Sequence, residues 1–393
     1  MNVAFVLLPL PGHVNPTLAV IAELRRRGAR ISVVASSEMA PRLEAAGADV
    51  ACVDKAFPAE ISNPPEGTVR VGELLLRSTP ALLELTLEHL RELDSDVIVH
   101  DSMTPWGRLA ARLLARPSVC STATFAFDRR VHPPLPEVAR LGADLAAHPG
   151  SLLSLHRHRR EIRARYGVDP GGLLEAFSNR EGAGRTIVYT SPEFQPGGEK
   201  LAPELDFVGP SMPELTPIDA ELEAEIAGRR LIYVSLGTVF NERPRFFRDC
   251  LAAFAERDEA VLLSIGDRLD SAALGELPAN AIVRRSVPQL AVLERARLFV
   301  THAGMNSASE ALWFGVPMLL HPQTADQPVV AARLAQLGAG RMLKRSSPAR
   351  IAAEAERVLA GDYARRAREL GETLRACGGP SRAADVIVEA ATP

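Results

Sequence analysis

The sequence predicts an α/β protein built of two halves, each a parallel β-sheet covered by helices. Short apolar runs of strand character alternate with amphipathic stretches of helical period along the whole chain, the pattern of parallel sheets with helical crossovers. A chain of 393 residues exceeds one ordinary hydrophobic core, so two domains are expected. Near the middle, "FVGPSMPELTPIDAELEAEI" is rich in proline and acidic residues and lacks strand pattern, as a linker would.

In the first half the strand-like runs fall at residues 3–8, 31–35, 97–100, 118–122 and 187–190. In the second they fall at 231–235, 261–265, 281–284, 298–301 and 317–320. The boundary is placed near Gly209, giving an N-terminal domain of residues 1–209, a linker of 210–227 and a C-terminal domain of 228–393. In open α/β sheets ligands bind beyond the carboxyl ends of the strands, so two facing sheets would enclose an interdomain cleft.

Composition narrows the function classes. Hydrophobic residues make up 47% of the chain and the mean hydropathy is +0.03, as in soluble globular proteins. A formal net charge of -3 gives no electrostatic reason to expect nucleic acid or an anionic membrane as partner. Cys52, Cys120, Cys250 and Cys377 are far apart and show no metal-ligand spacing, as expected of reduced thiols in a cytoplasm. The opening "MNVAFVLLPLPGH" has no basic lead-in and its apolar run ends at Pro9, so it reads as a first strand, not a signal peptide or membrane span.

Chemistry-bearing residues gather at the predicted strand ends. "FVTHAGMNSASEALWFGVPMLLHP" reads as strand, small-residue turn, helix over 306–314 stopped by Gly315, and strand again. The first turn of such a helix leaves backbone N–H groups without partners and carries the positive end of the dipole, so a phosphate would be held there; an ordinary capped crossover helix has the same outline. Gly304 permits close approach, and Asn306 and Ser307 add donors at the capping position. "YVSLGTVF" places Ser235, Gly237 and Thr238 just past another strand, in a turn suited to phosphate oxygens. "SVPQL" lies ahead of the long segment, and "PQTADQP" behind it offers Asp326 and Gln327 for paired hydroxyls.

In the first half, His13 follows the first strand in "LPLPGHVNPTLAV", with Asn15 and Pro16 read as cap and first residue of a helix. Asp101 follows another strand in "VIVHDSMTPWG". At one sheet edge the two could form a general base, the carboxylate accepting the Nδ1 proton and leaving Nε2 to take a proton from substrate. Taken singly, a loop histidine and a helix-capping aspartate are the ordinary roles of such residues. "DSD", Asp94 to Asp96, precedes its strand and so lies at the opposite edge, where it reads as a solvated turn rather than a metal site. "GAG", 338–340, lacks the third glycine and the preceding strand of a dinucleotide fingerprint. "HRHRREIRAR", 156–165, reads as a solvated helix face.

The motifs "GHVNPTL", "HDSMTPW", "FVGP", "VSLGT", "VPQ", "HAGMNSASEAL" and "DQ" resemble, in the same order, those of inverting family 1 UDP-glycosyltransferase-like enzymes. These have the GT-B fold of two facing Rossmann-like domains, and the nearest likeness is to bacterial macrolide and natural-product glycosyltransferases. The resemblance implies a nucleotide-sugar donor as cosubstrate and no resident cofactor or metal. It assigns His13 as the base toward the acceptor hydroxyl and Asp101 as its orienting partner. Val287 would pair with the nucleobase through its backbone, with Gln289 beside it. His302, Asn306 and Ser307 would contact the diphosphate, assisted by Thr238 and the Ser235 and Gly304 turns. Glu310 would bind ribose hydroxyls, and Asp326 and Gln327 those of the transferred sugar. Glu310 lies four residues after Asn306, which places both on one helix face. The last helix is expected to return to the N-terminal domain.

The chain departs from the family pattern at three positions. Ala303 stands where many members have a second glycine, a change expected to cost little beside Gly304. Ser286 stands where many have a tryptophan that stacks on the base, and Val330 where asparagine is common. Glu310 favours a ribonucleotide, hence a UDP-sugar, with a TDP-sugar kept open. The acceptor is expected to be a small apolar natural product such as a macrolide, polyketide or phenol, walled by residues 57–76, Met103, Phe125, Phe127 and the stretch 132–155, with no membrane insertion and a cytoplasmic location. A sugar-nucleotide epimerase would react without any acceptor, and a non-catalytic nucleotide-sugar binder would need only the second half.

Overall fold

The apolar runs become the strands of two all-parallel sheets in a computed structural model that describes residues 1–61, 64–65, 67–127, 142–171, 184–202, 205–238, 241–324 and 326–392. The chain divides into two units, Met1–Met212 with Cys377–Pro393, and Pro213–Ala376. The first unit holds, among its described residues, a seven-stranded sheet in the order β3-β2-β1-β4-β5-β6-β7. Its strands are β1 Asn2–Val6, β2 Arg30–Ala35, β3 Asp49–Cys52, β4 Val97–Asp101, β5 Ser118–Thr122, β6 Arg185–Val188 and β7 Asp206–Phe207. The second unit has a six-stranded sheet in the order β10-β9-β8-β11-β12-β13. These are β8 Leu231–Ser235, β9 Ala260–Ser264, β10 Ala281–Arg284, β11 Ala296–Thr301, β12 Met318–Leu320 and β13 Gly340–Met342.

The expected strands are all present with ends shifted by a few residues. Three were not foreseen, namely β3, β7 and β13, whose sequences "DVAC", "DF" and "GRM" are too short and mixed to carry an apolar run. The stretch read as linker contains a helix, Ala220–Ile226, which Asp219 caps by accepting the Leu222 N–H at 2.8 Å. The first helix is Pro11–Arg26, with Leu10 rather than Asn15 in the cap position and Pro16 inside it. Pro11 explains this, because an earlier proline at the first helical position starts the helix before Pro16 can.

Parallel strands buried on both faces need continuous apolar sequence, and here they have it. One face of the first sheet packs Val3, Phe5, Ile31, Val33 and Val97 against Val14, Ile21 and Leu24 of the first helix. The other packs Ala4, Val6 and Ile98 against Leu82, Leu83 and Leu87 of the helix Thr68–Leu93 and Trp106 and Leu109 of Pro105–Leu113. In the second unit, Ile232, Val234 and Val300 pack on Phe247, Leu251 and Phe254 of Pro244–Phe254.

The last helix, Gly379–Ala391, buries Ala383, Ala384, Val386 and Ile387 in the core of the first unit. It is fastened at its start by the Gly379 N–H, which donates to the Val208 carbonyl at 2.7 Å, and along its side by Arg27, which pairs with Asp385 at 2.6 Å.

Three expectations about charged and glycine motifs meet specific outcomes. In "DSD", Asp96 accepts the Asn2 N–H at 2.7 Å and so anchors the start of β1, Asp94 pairs with Arg116, and Ser95 is buried. The basic run lies on the helix Pro149–Tyr166 and is largely ion-paired, with Arg159 gripping Asp169 through two bonds of 2.8 Å. Gly338 ends the helix Gln327–Leu337 in the left-handed region, at φ 75. Among the described residues no helix is long and apolar enough to cross a membrane.

Ile387 is fully buried. Replacing it with alanine should destabilise the first unit by about 2–5 kcal/mol, read as an earlier transition in urea.

Candidate active site

Each sheet has one place where strand order reverses, between β1 and β4 in the first and between β8 and β11 in the second. At such a point the connections leave in opposite directions and open a crevice at the carboxyl ends. His13, Asp101 and Met103 lie at the first of these places and Ser235, Thr238, His302, Gly304, Asn306 and Ser307 at the second, whereas Phe125 and Phe127 follow β5, Val287 and Gln289 follow β10, and Asp326 and Gln327 follow β12.

In the first unit β1 and β4 pair in register, Val6 opposite His100. The chain leaves β1, turns through Leu7 to Leu10, and puts His13 third in the helix, with its N–H bonded to the Leu10 carbonyl at 2.9 Å. Asp101 is the last residue of β4 and is 1% exposed. Its Oδ2 accepts the Nδ1–H of His13 at 2.8 Å, and its Oδ1 accepts the backbone N–H of Met103 at 2.7 Å. The turn after β4 is closed further by the Thr104 N–H on the Asp101 carbonyl at 3.0 Å.

Asp101 is therefore held at both oxygens, and it fixes the tautomer of His13 with the lone pair on Nε2. The two side chains differ in access: His13 is 16% exposed and Asp101 not at all. The neighbouring His100 is buried and a weaker base. Burial pushes its imidazole down to about 4, and the helix start packs so closely that a methyl on Gly107 would lie 2.8 Å from its Cβ.

In the second unit β8 and β11 pair with Ser235 opposite Thr301, and both strands run into small-residue turns. Gly237 lies in the left-handed region at φ 78, and its N–H donates to Ser235 Oγ at 3.2 Å. Gly304 caps the helix Met305–Trp313. The imidazole of His302 sits between these glycines: a methyl on Gly237 would fall 2.7 Å from the ring, and one on Gly304 2.4 Å from Nε2. Burial pushes His302 down to about 4, although a hydrogen bond to the Ser235 backbone opposes the shift, so the ring is neutral near pH 7.

The capping position is Gly304, so Asn306 and Ser307 occupy the second and third helical positions instead. The N–H groups of Met305, Asn306 and Ser307 precede the first i to i−4 bond, which runs from Ala308 to the Gly304 carbonyl at 2.9 Å. Ala303 is buried at φ 62, so its cost is not small: an alanine held there gives up about 1–2 kcal/mol relative to right-handed backbone.

Along the same helix Ser307 and Glu310 meet a common neighbour. Gln289 Nε2 donates to Ser307 Oγ at 3.2 Å and to Glu310 Oε2, while Gln289 Oε1 accepts the phenolic O–H of Tyr233 at 2.9 Å. Burial pushes the Glu310 carboxyl up to about 7, against the opposing bond from Gln289. Val287 is partly buried, whereas Thr238 and Ser286 are exposed.

Gln327 is buried and turns its Oε1 inward, accepting the Gln323 N–H at 2.8 Å and the Thr324 N–H at 3.3 Å. Only its amide NH₂ remains for a sugar. Asp326 stands at the cap of that helix, and Val330 is core.

The acceptor residues fare unequally. Met103 packs partly buried against the first-unit core. Phe125 is buried and packs edge-on against Phe194, with ring centroids 5.2 Å apart. Phe127 is 49% exposed. The proposed stretch 132–155 lies outside the described residues up to 141, as do 62, 63 and 66 of the loop 57–76.

Two site residues escaped the sequence reading. Tyr233 was hidden in an apolar strand, where only the need of a buried phenol for a partner could have flagged it. Asn241, buried, donates from Nδ2 to the Gly237 carbonyl at 2.8 Å and braces that turn.

Residues 193–364 match the family model "UDP-glucoronosyl and UDP-glucosyl transferase". The chain is 34% identical to the demethyllactenocin mycarosyltransferase of Streptomyces fradiae over 98% of its own length and 86% of that protein's. It is 31% identical to the uncharacterized UDP-glucosyltransferase YdhE of Bacillus subtilis (strain 168), covering 94% of this chain and 93% of that one. The crystal structure of the calicheamicin glycosyltransferase CalG4 superposes with a TM-score of 0.83 at 30% identity, covering 99% and 98% of the two chains. With its two Rossmann-like sheets, the chain belongs to the UDP-glucuronosyl and UDP-glucosyl transferase family, the nucleotide-sugar-dependent glycosyltransferases of GT-B fold.

Proposed function

We propose that the protein is an inverting O-glycosyltransferase that moves a sugar from a UDP-sugar to a hydroxyl of a small apolar natural product. The observation that carries this is the 2.8 Å bond from His13 to the buried Asp101, which a protein that merely binds nucleotide-sugars would not need. In this reading His13 Nε2 takes the acceptor proton as the oxygen attacks the anomeric carbon, and Asp101 stabilises the imidazolium that forms. Relatives named as a demethyllactenocin mycarosyltransferase, an oleandomycin glycosyltransferase and a calicheamicin glycosyltransferase support the acceptor class.

In the second unit the departing diphosphate would lie at the start of the helix Met305–Trp313. Backbone N–H groups, Asn306, Ser307 and Thr238 would meet its growing charge, with His302 as a neutral donor or brace. That set can stabilise the leaving group without a divalent cation, so the reaction is proposed to be metal-independent. Val287 would address the base, Glu310 the ribose, and Asp326 with the NH₂ of Gln327 the sugar. A ribose-binding carboxylate favours UDP over a deoxyribonucleotide, and a TDP-sugar stays as the second donor to assay.

Replacing His13 with alanine should lower turnover by about 10²- to 10⁴-fold while UDP still binds; full turnover would remove the base assignment. Adding EDTA should leave the rate unchanged, and loss restored by magnesium would contradict the metal-free reading.

A third test uses Glu310. Burial pushes its carboxyl up to about 7, and the ionised form accepts two ribose hydroxyls more strongly than the acid, whose hydrogen occupies one oxygen, so nucleotide binding should be linked to loss of this proton. The sign follows: UDP affinity should be full above pH 7 and fall by up to about tenfold per pH unit below it, measured by calorimetry from pH 5.5 to 8.5. A flat profile would place the ribose elsewhere.

A further inference from the structure

We propose that Tyr233 is a positioning residue for nucleotide binding, setting through Gln289 the direction in which Ser307 and Glu310 present their hydrogen-bonding groups. This rests on the reading of Glu310 as the ribose ligand and Ser307 as a diphosphate ligand.

Tyr233 is held rigidly. It lies in β8 opposite Phe299 of β11, and the two rings stack with centroids 4.8 Å apart at 11°. Its phenol is buried, and burial keeps it protonated well above neutral pH. The single phenolic hydrogen is directed to Gln289 Oε1 at 2.9 Å.

A primary amide is nearly symmetric in shape but opposite in polarity at its two ends. With its oxygen engaged by Tyr233, Gln289 must turn its NH₂ toward Ser307 Oγ and Glu310 Oε2. Two consequences follow for a ligand. Ser307 already accepts a hydrogen bond, so its own hydrogen is left to donate to an anion. Glu310 receives one N–H at Oε2, which leaves its remaining lone pairs for ribose hydroxyls. Were the amide reversed, its oxygen would confront the carboxylate, and Glu310 would have to keep its proton or move away.

The chain of donation thus runs from Tyr233 through Gln289 to two groups on the nucleotide-binding helix. Gln289 touches both end groups, whereas Tyr233 acts only through it.

Tyr233→Phe deletes the hydroxyl and retains the stacked ring. The measurement is calorimetric binding of UDP and of 2′-deoxy-UDP at pH 8 to the wild type and to this variant, with melting temperatures alongside. The wild type should prefer UDP by about tenfold or more, one well-formed hydrogen bond to a charged acceptor. In Tyr233→Phe, UDP binding should weaken by about tenfold through Glu310 and Ser307 together and 2′-deoxy-UDP by less, through Ser307, so that the preference narrows. Phe299→Leu, which loosens the stack but spares the hydroxyl, should lower the melting temperature and retain the preference. An unchanged preference in Tyr233→Phe, whether affinity holds or falls equally for both nucleotides, would overturn the positioning role. A wild type that does not distinguish the two would instead remove Glu310 as ribose ligand, and the inference with it.

Discussion

Everything at the site depends on one pairing in each sheet, β1 with β4 and β8 with β11. There two adjacent parallel strands send their connections apart, and side chains from distant sequence meet at the carboxyl edge. His13 and Asp101 are 88 residues apart, yet the register that sets Val6 opposite His100 brings their side chains into contact. The register that sets Ser235 opposite Thr301 likewise places the turn at Gly237 against the turn at Gly304. The fully buried strands hold these registers, since sliding either strand by one residue would exchange its two packed faces.

The two edges are stiffened differently. In the first unit a carboxylate takes up the turn: Asp101 binds both the imidazole and the Met103 N–H, so shifting one disturbs the other. In the second, absence of side chains does the work. Glycines at 237 and 304 let the His302 ring lie where any Cβ would intrude, and Asn241 braces the first of them. Ala303, in left-handed backbone beside this cradle, shows that the chain tolerates strain here. Strain that persists in a buried turn is held by its surroundings, here the Thr301 Oγ1 that accepts the Ala303 N–H at 3.2 Å.

Much of this was legible in the sequence, for a physical reason. Strands buried on both faces must be apolar throughout, so "AFV", "VIV" and "LFV" announce themselves, and the residues that follow them mark the carboxyl edge. His13, Asp101, Ser235 and His302 were found by that rule. It fails where burial is not the signal. The strands β3, β7 and β13 lie at sheet edges and need little apolar sequence, and the packing of Phe125 on Phe194 joins rings 69 residues apart. The pairing of Tyr233 with Gln289 spans 56 residues and joins two different elements, and no local spacing encodes it. The inward turn of Gln327 toward its own loop is equally silent in sequence, because an amide at a helix start serves a backbone or a sugar with the same atoms.

Position along one helix explains how an anion site and a carboxylate coexist. Met305, Asn306 and Ser307 form the first turn of Met305–Trp313, where the dipole favours negative charge. Glu310 stands three residues beyond Ser307, about 4.5 Å further along the axis, where that field has faded. Desolvation then outweighs the one bond from Gln289, and the carboxyl is pushed up to about 7 instead of down. A nucleotide with its diphosphate on the first turn would bring its ribose toward Glu310, and hydroxyl donors would replace the water that burial removed. The same ligand that adds negative charge at the helix start would therefore supply the hydrogen bonds that let Glu310 ionise, so the two ends of the nucleotide are matched to two different electrostatic environments on one element.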